Sequence, residues 1–128
     1  MNYELAADTI SCDDAGEMLF FAFSADGSDP AKYVMFQCPL RTDEQDSHLG
    51  LNGLYIERDD QVFGCYNGVK SITKLGDRIE IDLNDEGQRH LRVKRLLIAP
   101  VNWSPMIDQG FARLAELSRG QYFVEGFS

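Results

Sequence analysis

Basic residues are scarce through most of this 128-residue chain. Residues 1–86 hold 18 Asp and Glu against 6 Lys and Arg, a net of −12. Residues 87–128 hold 3 acids against 6 bases, a net of +3, which brings the whole chain to −9. An acidic field of this kind repels nucleic acid and attracts basic partners, so a nucleic-acid partner is not expected. Cysteine is also sparse. Cys12, Cys38 and Cys65 are odd in number, widely spaced and free of any C-x-x-C pattern. That excludes a zinc ribbon and argues against a disulfide framework. Histidine is confined to His48 and His90. No Ser-His-Asp arrangement, no H-E-x-x-H and no G-x-x-x-x-G-K-S/T loop occurs, which removes the common hydrolase, metalloprotease and phosphate-cradle readings. No apolar run approaches the roughly 20 residues of a membrane span. The start "MNYELAAD" has neither a basic n-region nor an apolar h-region. The expectation is a soluble, cytoplasmic protein with no membrane partner, no cofactor and no catalysis.

What is present is a succession of short strand-like runs, at about 3–11, 17–23, 32–38, 53–58, 61–66, 69–75, 78–83 and 93–99. The segments "SADGSDP" and "LRTDEQDSHLG" have loop composition. One strong helix stands near the end. In "NWSPMIDQGFARLAELSRG", Ser104 suits the N-cap, Pro105 the first helical position and Gly120 the stop. Ile107, Phe111, Leu114 and Ser118 share one face, with Leu117 at its margin. A shorter helical turn is expected over 85–91. The fold class is therefore α+β: one domain over 1–128, an antiparallel meander with the C-terminal amphipathic helix packed on one face.

Three dipeptides suit two-residue hairpin turns: Asp59-Asp60, Asn67-Gly68 and Gly76-Asp77. If all three are such turns, Arg58 faces Gln61, Tyr66 faces Val69 and Leu75 faces Arg78. Leu54 then pairs Cys65, Ile56 pairs Phe63, Phe63 pairs Ile72 and Ile72 pairs Ile81. One face collects Leu54, Ile56, Phe63, Cys65, Ile72, Ile79, Ile81 and Leu83, with Lys70 and Lys74 at its margins. The stretch "GCYNG" then reads as structural. Cys65 points into the core as an unreactive thiol. Gly64 leaves room for Tyr55 to lie across the strand, and Gly68 takes the positive φ of a turn.

The opposite face of this meander carries Tyr55, Glu57, Val62, Tyr66, Val69, Ser71, Thr73, Glu80 and Asp82. Interleaved tyrosines and carboxylates suit a protein interface. The candidate binding residues are Tyr55 and Tyr66 as anchors, Glu57, Glu80 and Asp82 as charge partners, and the tip Asp59-Asp60. Asp43, Glu44, Asp46 and His48 form a competing acidic loop. It lacks the ligand spacing of a metal site and reads as solvated. Trp103 reads as a packing anchor.

The blocks "YVMFQ", "GLYIERDDQVFGCYNGVKSI" and "DRIEIDLND", followed by a closing strand and helix, resemble the immunity protein 10 family of bacterial polymorphic toxin systems. The resemblance runs over about 16–118 and is most specific from Tyr55 to Ile72. Family members read Gly-Tyr-Gly-Gly or similar where this chain has Cys65-Tyr66-Asn67-Gly68. The tail "QYFVEGFS" has no counterpart. The resemblance implies a small antidote that binds and neutralises a cognate toxin, with no catalytic residue. The acidity suits a basic toxin such as a nuclease. The alternative is a small-ligand-binding or accessory domain using the concave side of the sheet.

Overall fold

Alternating apolar residues in short runs need one covered face per sheet, and this chain meets that need with two sheets enclosing one core. A computed structural model describes residues 2–7, 9–13, 17–25, 32–40, 53–99, 101, 104–118 and 120–127. The strands are β1 (Asn2–Leu5), β2 (Thr9–Asp13), β3 (Met18–Ala25), β4 (Lys32–Pro39), β5 (Tyr55–Arg58), β6 (Asp60–Tyr66), β7 (Val69–Leu75), β8 (Arg78–Leu83), β9 (Arg95–Ile98) and β10 (Phe123–Glu125). Helix α1 spans Asp85–Leu91 and α2 spans Pro105–Leu117. The first sheet has the order β2-β3-β4-β5-β6 and the second β1-β9-β8-β7-β10.

The α+β class holds, while the single meander divides. The first sheet is antiparallel throughout. The second is mixed, because β1 pairs β9 and β10 pairs β7 in parallel. Parallel partners are distant in sequence, so local turn signals do not report them.

Of the three expected hairpin turns, Gly76-Asp77 forms as expected, with Leu75 opposite Arg78 and Ile72 opposite Ile81. Asp59-Asp60 turns the chain in a different register. Ile56 faces Cys65, Arg58 faces Asp60, and a bulge falls between Glu57 and Arg58. Asp59 takes the left-handed conformation there, at φ 64. Asn67-Gly68 is not a hairpin, and Phe63 does not pair with Ile72: β6 and β7 belong to different sheets. Asn67 carries the positive φ, 60. Gly68 serves a close approach instead. A Cβ on Gly68 would stand 2.4 Å from Cys65 Sγ and 2.8 Å from the Cα of Gly87 in α1. The backbone N–H of Asn84 donates to Gly68 O (3.0 Å) and its side-chain amide to Asn67 O (2.8 Å). The same side chain caps α1 by accepting from Gly87 N (2.9 Å).

Most of the expected inward set survives this change of partners, but Phe63 lies against Arg58 and Arg92 instead of joining the core. Leu54, Ile56, Ile72, Ile79, Ile81 and Leu83 are all buried, with Phe63 and Cys65 half-buried. Strand alternation sets which side chains point inward whichever strand lies alongside. Val69, expected outside, is buried because a bulge between Val69 and Ser71 shifts the alternation. Lys74 pairs with Asp108 of α2 at 3.1 Å, and Lys70 is exposed.

Helix α2 begins as its sequence requires. Ser104 Oγ accepts from Ile107 N (3.3 Å), with Pro105 in the first turn. Its apolar stripe is inside: Ile107, Phe111, Leu114 and Ser118 are buried. Phe111 stacks on Phe21 at 4.3 Å and on Phe127 at 4.4 Å, and meets Phe36 edge-on.

Substituting Gly68 by alanine is expected to destabilise the protein by about 1–3 kcal/mol, because the new methyl group meets helix backbone that cannot yield. A denaturant midpoint unchanged from wild type would show that the crossing is looser than its geometry. Burial, with a smaller contribution from Glu86, raises the Cys65 thiol pKa. At neutral pH its thiolate fraction therefore falls below that of an exposed cysteine, and its labelling by a disulfide reagent is expected to be slower than that of a free thiol. A rate equal to the free thiol would contradict this.

Candidate functional site

The outer face of the first sheet is built from positions that alternate with its core residues. One cross-strand row runs Asp13, Phe20, Gln37, Tyr55, Tyr66. The next runs Ser11, Ala22, Met35, Glu57, Gly64. Phe20, Ala22, Met35, Tyr33 and Tyr55 are half-buried, and Tyr66 is 41% exposed. Val62, on the edge strand β6, is 71% exposed. With Asp13 at its far edge, the face is aromatic and apolar around one central carboxylate.

That carboxylate is Glu57, only 6% exposed. Tyr55 Oη donates to its Oε1 (2.6 Å) and Tyr33 Oη donates to its Oε2. Burial, followed by donation to Glu57, holds both phenols well above their usual pKa, so they remain protonated donors. Tyr55 crosses over Gly64, where a Cβ would stand 2.3 Å from the phenol oxygen. The role expected for Gly64 is thus the observed one. The Tyr55 and Tyr66 rings lie 5.0 Å apart and are tilted by 54°. Among the described residues the Tyr66 hydroxyl has no hydrogen-bond partner.

Asp59 is a structural clip rather than an open tip. Its Oδ1 accepts from Tyr3 Oη (2.5 Å) in the second sheet and from Tyr33 N (3.0 Å) in the first. Its own N–H donates to Tyr33 O (3.1 Å). Burial, then this hydrogen bond, raises the Tyr3 pKa. Beside it, Arg58 Nε and Nη2 donate to Leu91 O at the end of α1 (2.9 and 2.7 Å). The Arg58 guanidinium lies 4.2 Å from the centre of the Phe63 ring and pairs with Asp59 Oδ2 at 3.3 Å. Asp60 is exposed, and its Oδ1 accepts from Val62 N (3.2 Å).

The structure brings Tyr55, Glu57 and Tyr66 together, with Asp59 and Asp60 at the adjoining turn, and separates Glu80 and Asp82 from them. Those two acids lie on the outer face of the second sheet, across the core, because the chain changes sheets at Asn67-Gly68. There Glu80 pairs with Arg78 (2.9 Å), and Asp82 pairs with Arg95 (2.5 Å) and accepts from Ser71 (3.3 Å). The sequence reading missed Tyr3, Tyr33, Phe20, Met35 and Arg58. For Phe20 and Met35 a signal existed: "EMLFFAF" and "KYVMFQC" are apolar on both alternations. For Arg58 and Tyr3 none did, since their partners are remote in the chain. The acidic loop 43–48 and Trp103 lie outside the described residues.

Elsewhere, an open groove of about 340 Å³ lies between β2 and α2, lined by Cys12, Leu19, Met106 and Arg113 among others. Among the described residues no group of three or more His, Cys, Asp or Glu could hold a metal ion, and no helix is long and apolar enough to cross a membrane.

The family model of immunity protein 10 matches residues 6–103. This chain belongs to the immunity protein 10 family. The match begins earlier than the resemblance read from the motifs and ends before α2, so that helix and β10 lie beyond it. It takes in the whole tyrosine–carboxylate face apart from Tyr3. No curated protein and no solved structure matches the chain.

Replacing Asp59 by alanine is expected to cost about 2 kcal/mol, since it removes two acceptor contacts and leaves alanine in a left-handed conformation. Asp60→Ala is expected to fall within about 0.5 kcal/mol of wild type. Equal losses in thermal or denaturant unfolding would contradict the division of roles between the two acids.

Proposed function

We propose that this protein is the antidote of a toxin–immunity pair and acts by binding its cognate toxin, without performing chemistry. The observation that carries the reading is the family membership over residues 6–103. The outer face of the first sheet supplies the interface. Tyr66 is its exposed anchor, Tyr55 is held rigidly by Glu57, and Val62, Asp60 and Gln61 stand at the open edge. Tyrosines fixed before binding lose little freedom on contact, which favours tight association. Glu57 orients the aromatic surface, and Asp59 clips the two sheets together behind it. Glu80 and Asp82, already paired with arginines on the other face, are assigned no direct contact.

The acidic segment 1–86, at a net of −12, suits a basic toxin of the kind that handles phosphates, a nuclease among them. Long-range attraction of this sort acts on association rate and is screened over about 8 Å at physiological ionic strength.

Tyr66→Ala is expected to weaken toxin binding by about 2 kcal/mol, roughly thirtyfold, while leaving the fold intact. Glu80→Lys is expected to change affinity far less. Calorimetry or surface binding with the co-expressed toxin measures both. The comparison variant changes Asp43, Glu44 and Asp46 together to serine. If that variant loses protection while folded Tyr66→Ala keeps it, the loop rather than the sheet face is the epitope. Stopped-flow association across a salt series tests the steering: the rate is expected to fall steeply with salt, and a flat profile would assign the acidity to solubility alone.

A further inference from the structure

Glu57 presents an unusual balance of charge. It is a carboxylate at 6% exposure, and its described partners are two phenols. Buried carboxylates are ordinarily met by a cation, because neutral donors offset only part of the lost hydration. Two cations beside the cluster in sequence, Arg58 and Lys32, have contacts elsewhere. Arg58 turns to Leu91 O, Asp59 and Phe63, and Lys32 lies over the Tyr3 ring at 5.9 Å.

The phenols carry the same signal outward. Tyr33 and Tyr55 each spend their only proton on Glu57, so toward solvent their oxygens offer acceptor lone pairs alone. Tyr55 and Tyr66 add two ring faces, tilted at 54° with centres 5.0 Å apart. The absence of a side chain at Gly64 keeps Tyr55 low over the strand. The acceptor oxygens of Tyr33 and Tyr55, the π faces and a negative charge one hydrogen bond behind them favour a group that donates, is cationic and is flat, and the Tyr66 hydroxyl can turn to accept as well. Guanidinium meets all three conditions, with five N–H donors, no acceptor and a planar surface that stacks on aromatic rings. An ammonium ion lacks the plane and is more strongly hydrated.

From this geometry we infer that the Tyr33–Tyr55–Tyr66 cluster over Glu57 is a receptor for one arginine side chain of the partner protein. The inference rests on the proposed toxin-binding role of this face and names the chemistry of its central contact. The arginine stacks on the outward ring faces of Tyr55 and Tyr66, donates to the phenol oxygens and supplies a positive charge to Glu57, which has no cationic partner among the described residues.

The test uses the free protein and needs no toxin. Aromatic NMR signals are followed while N-acetylarginine amide is added, with N-acetylcitrulline amide as the neutral isostere and N-acetyllysine amide as the non-planar cation. Saturable shifts at Tyr55 and Tyr66 are expected with the arginine derivative, weaker with lysine and absent with citrulline. Glu57→Gln and Gly64→Ala are expected to weaken that binding by on the order of tenfold. If either unfolds, Tyr66→Ala decides, because that ring is exposed and its loss should still remove the response. Equal shifts with citrulline, or undiminished binding in folded Glu57→Gln or Tyr66→Ala, would overturn the receptor. Lysine binding as tightly as arginine would overturn the assignment to guanidinium. Failure of the protein to neutralise its toxin would instead strike the proposed function and leave this titration to stand or fall alone.

Discussion

The backbone contact between Gly68 and Gly87 is the constraint on which the arrangement of this protein depends. It lets the chain leave β6, pass against the start of α1 and enter the other sheet within two residues. Asn84 secures both sides of the passage, capping α1 with its side-chain oxygen and holding Asn67 and Gly68 with its amides. A Cβ at Gly87 would stand 2.2 Å from Gly68 O, and one at Gly68 would meet the Cα of Gly87 as well as Cys65 Sγ. Because the crossing is there, the β5–β6 surface and the β7–β8 surface lie on opposite sides of the core instead of forming one continuous face.

The two outer faces consequently differ in their electrostatics. On the second sheet, carboxylates and guanidinium groups neutralise one another at the surface, as Arg78 does for Glu80 and Arg95 for Asp82. Exposed pairs of this kind contribute little to stability and leave little uncompensated charge. On the first sheet a buried carboxylate is held by phenols. That arrangement is costlier to maintain in isolation, and it stiffens the tyrosines it orients. Asp59 and Arg58 stand behind it, joining the first sheet to β1 and to the end of α1. Rigidity there is thus a property of both sheets together.

The aromatic centre of the core involves a segment beyond the family match. Phe21, Phe23 and Phe36 come from strands inside residues 6–103, while Phe111 and Phe127, which extend the stack, come from α2 and the tail. The C-terminal part of the chain therefore completes the packing from the inner side, and the candidate interface on the outer side belongs wholly to the family-matched strands and turns.

Local chemistry made much of this legible. Ser104 and Pro105 start α2, alternation in β5, β7 and β8 selects Ile56, Ile72, Ile79 and Ile81 for the interior, and Gly64 makes room for Tyr55. Each depends on neighbours a few residues away or on strand periodicity, which holds whatever strand lies alongside. Three outcomes depended on contacts far apart in the chain. Asn67-Gly68 carries a strong hairpin signal, yet packing of Gly68 against Gly87 directs it between sheets. Glu57 and Glu80 share an alternation pattern, yet one became a buried acceptor for tyrosines and the other a surface ion pair. Tyr3 and Arg58 found partners at Asp59 and Leu91 that no spacing announces. The sequence by itself determined most of the side chains that turn inward, because a strand has only two faces, and it left out Val69, where a bulge shifts the alternation. Tertiary structure alone decided which outward faces coincide, because that is set by where strands cross and dock.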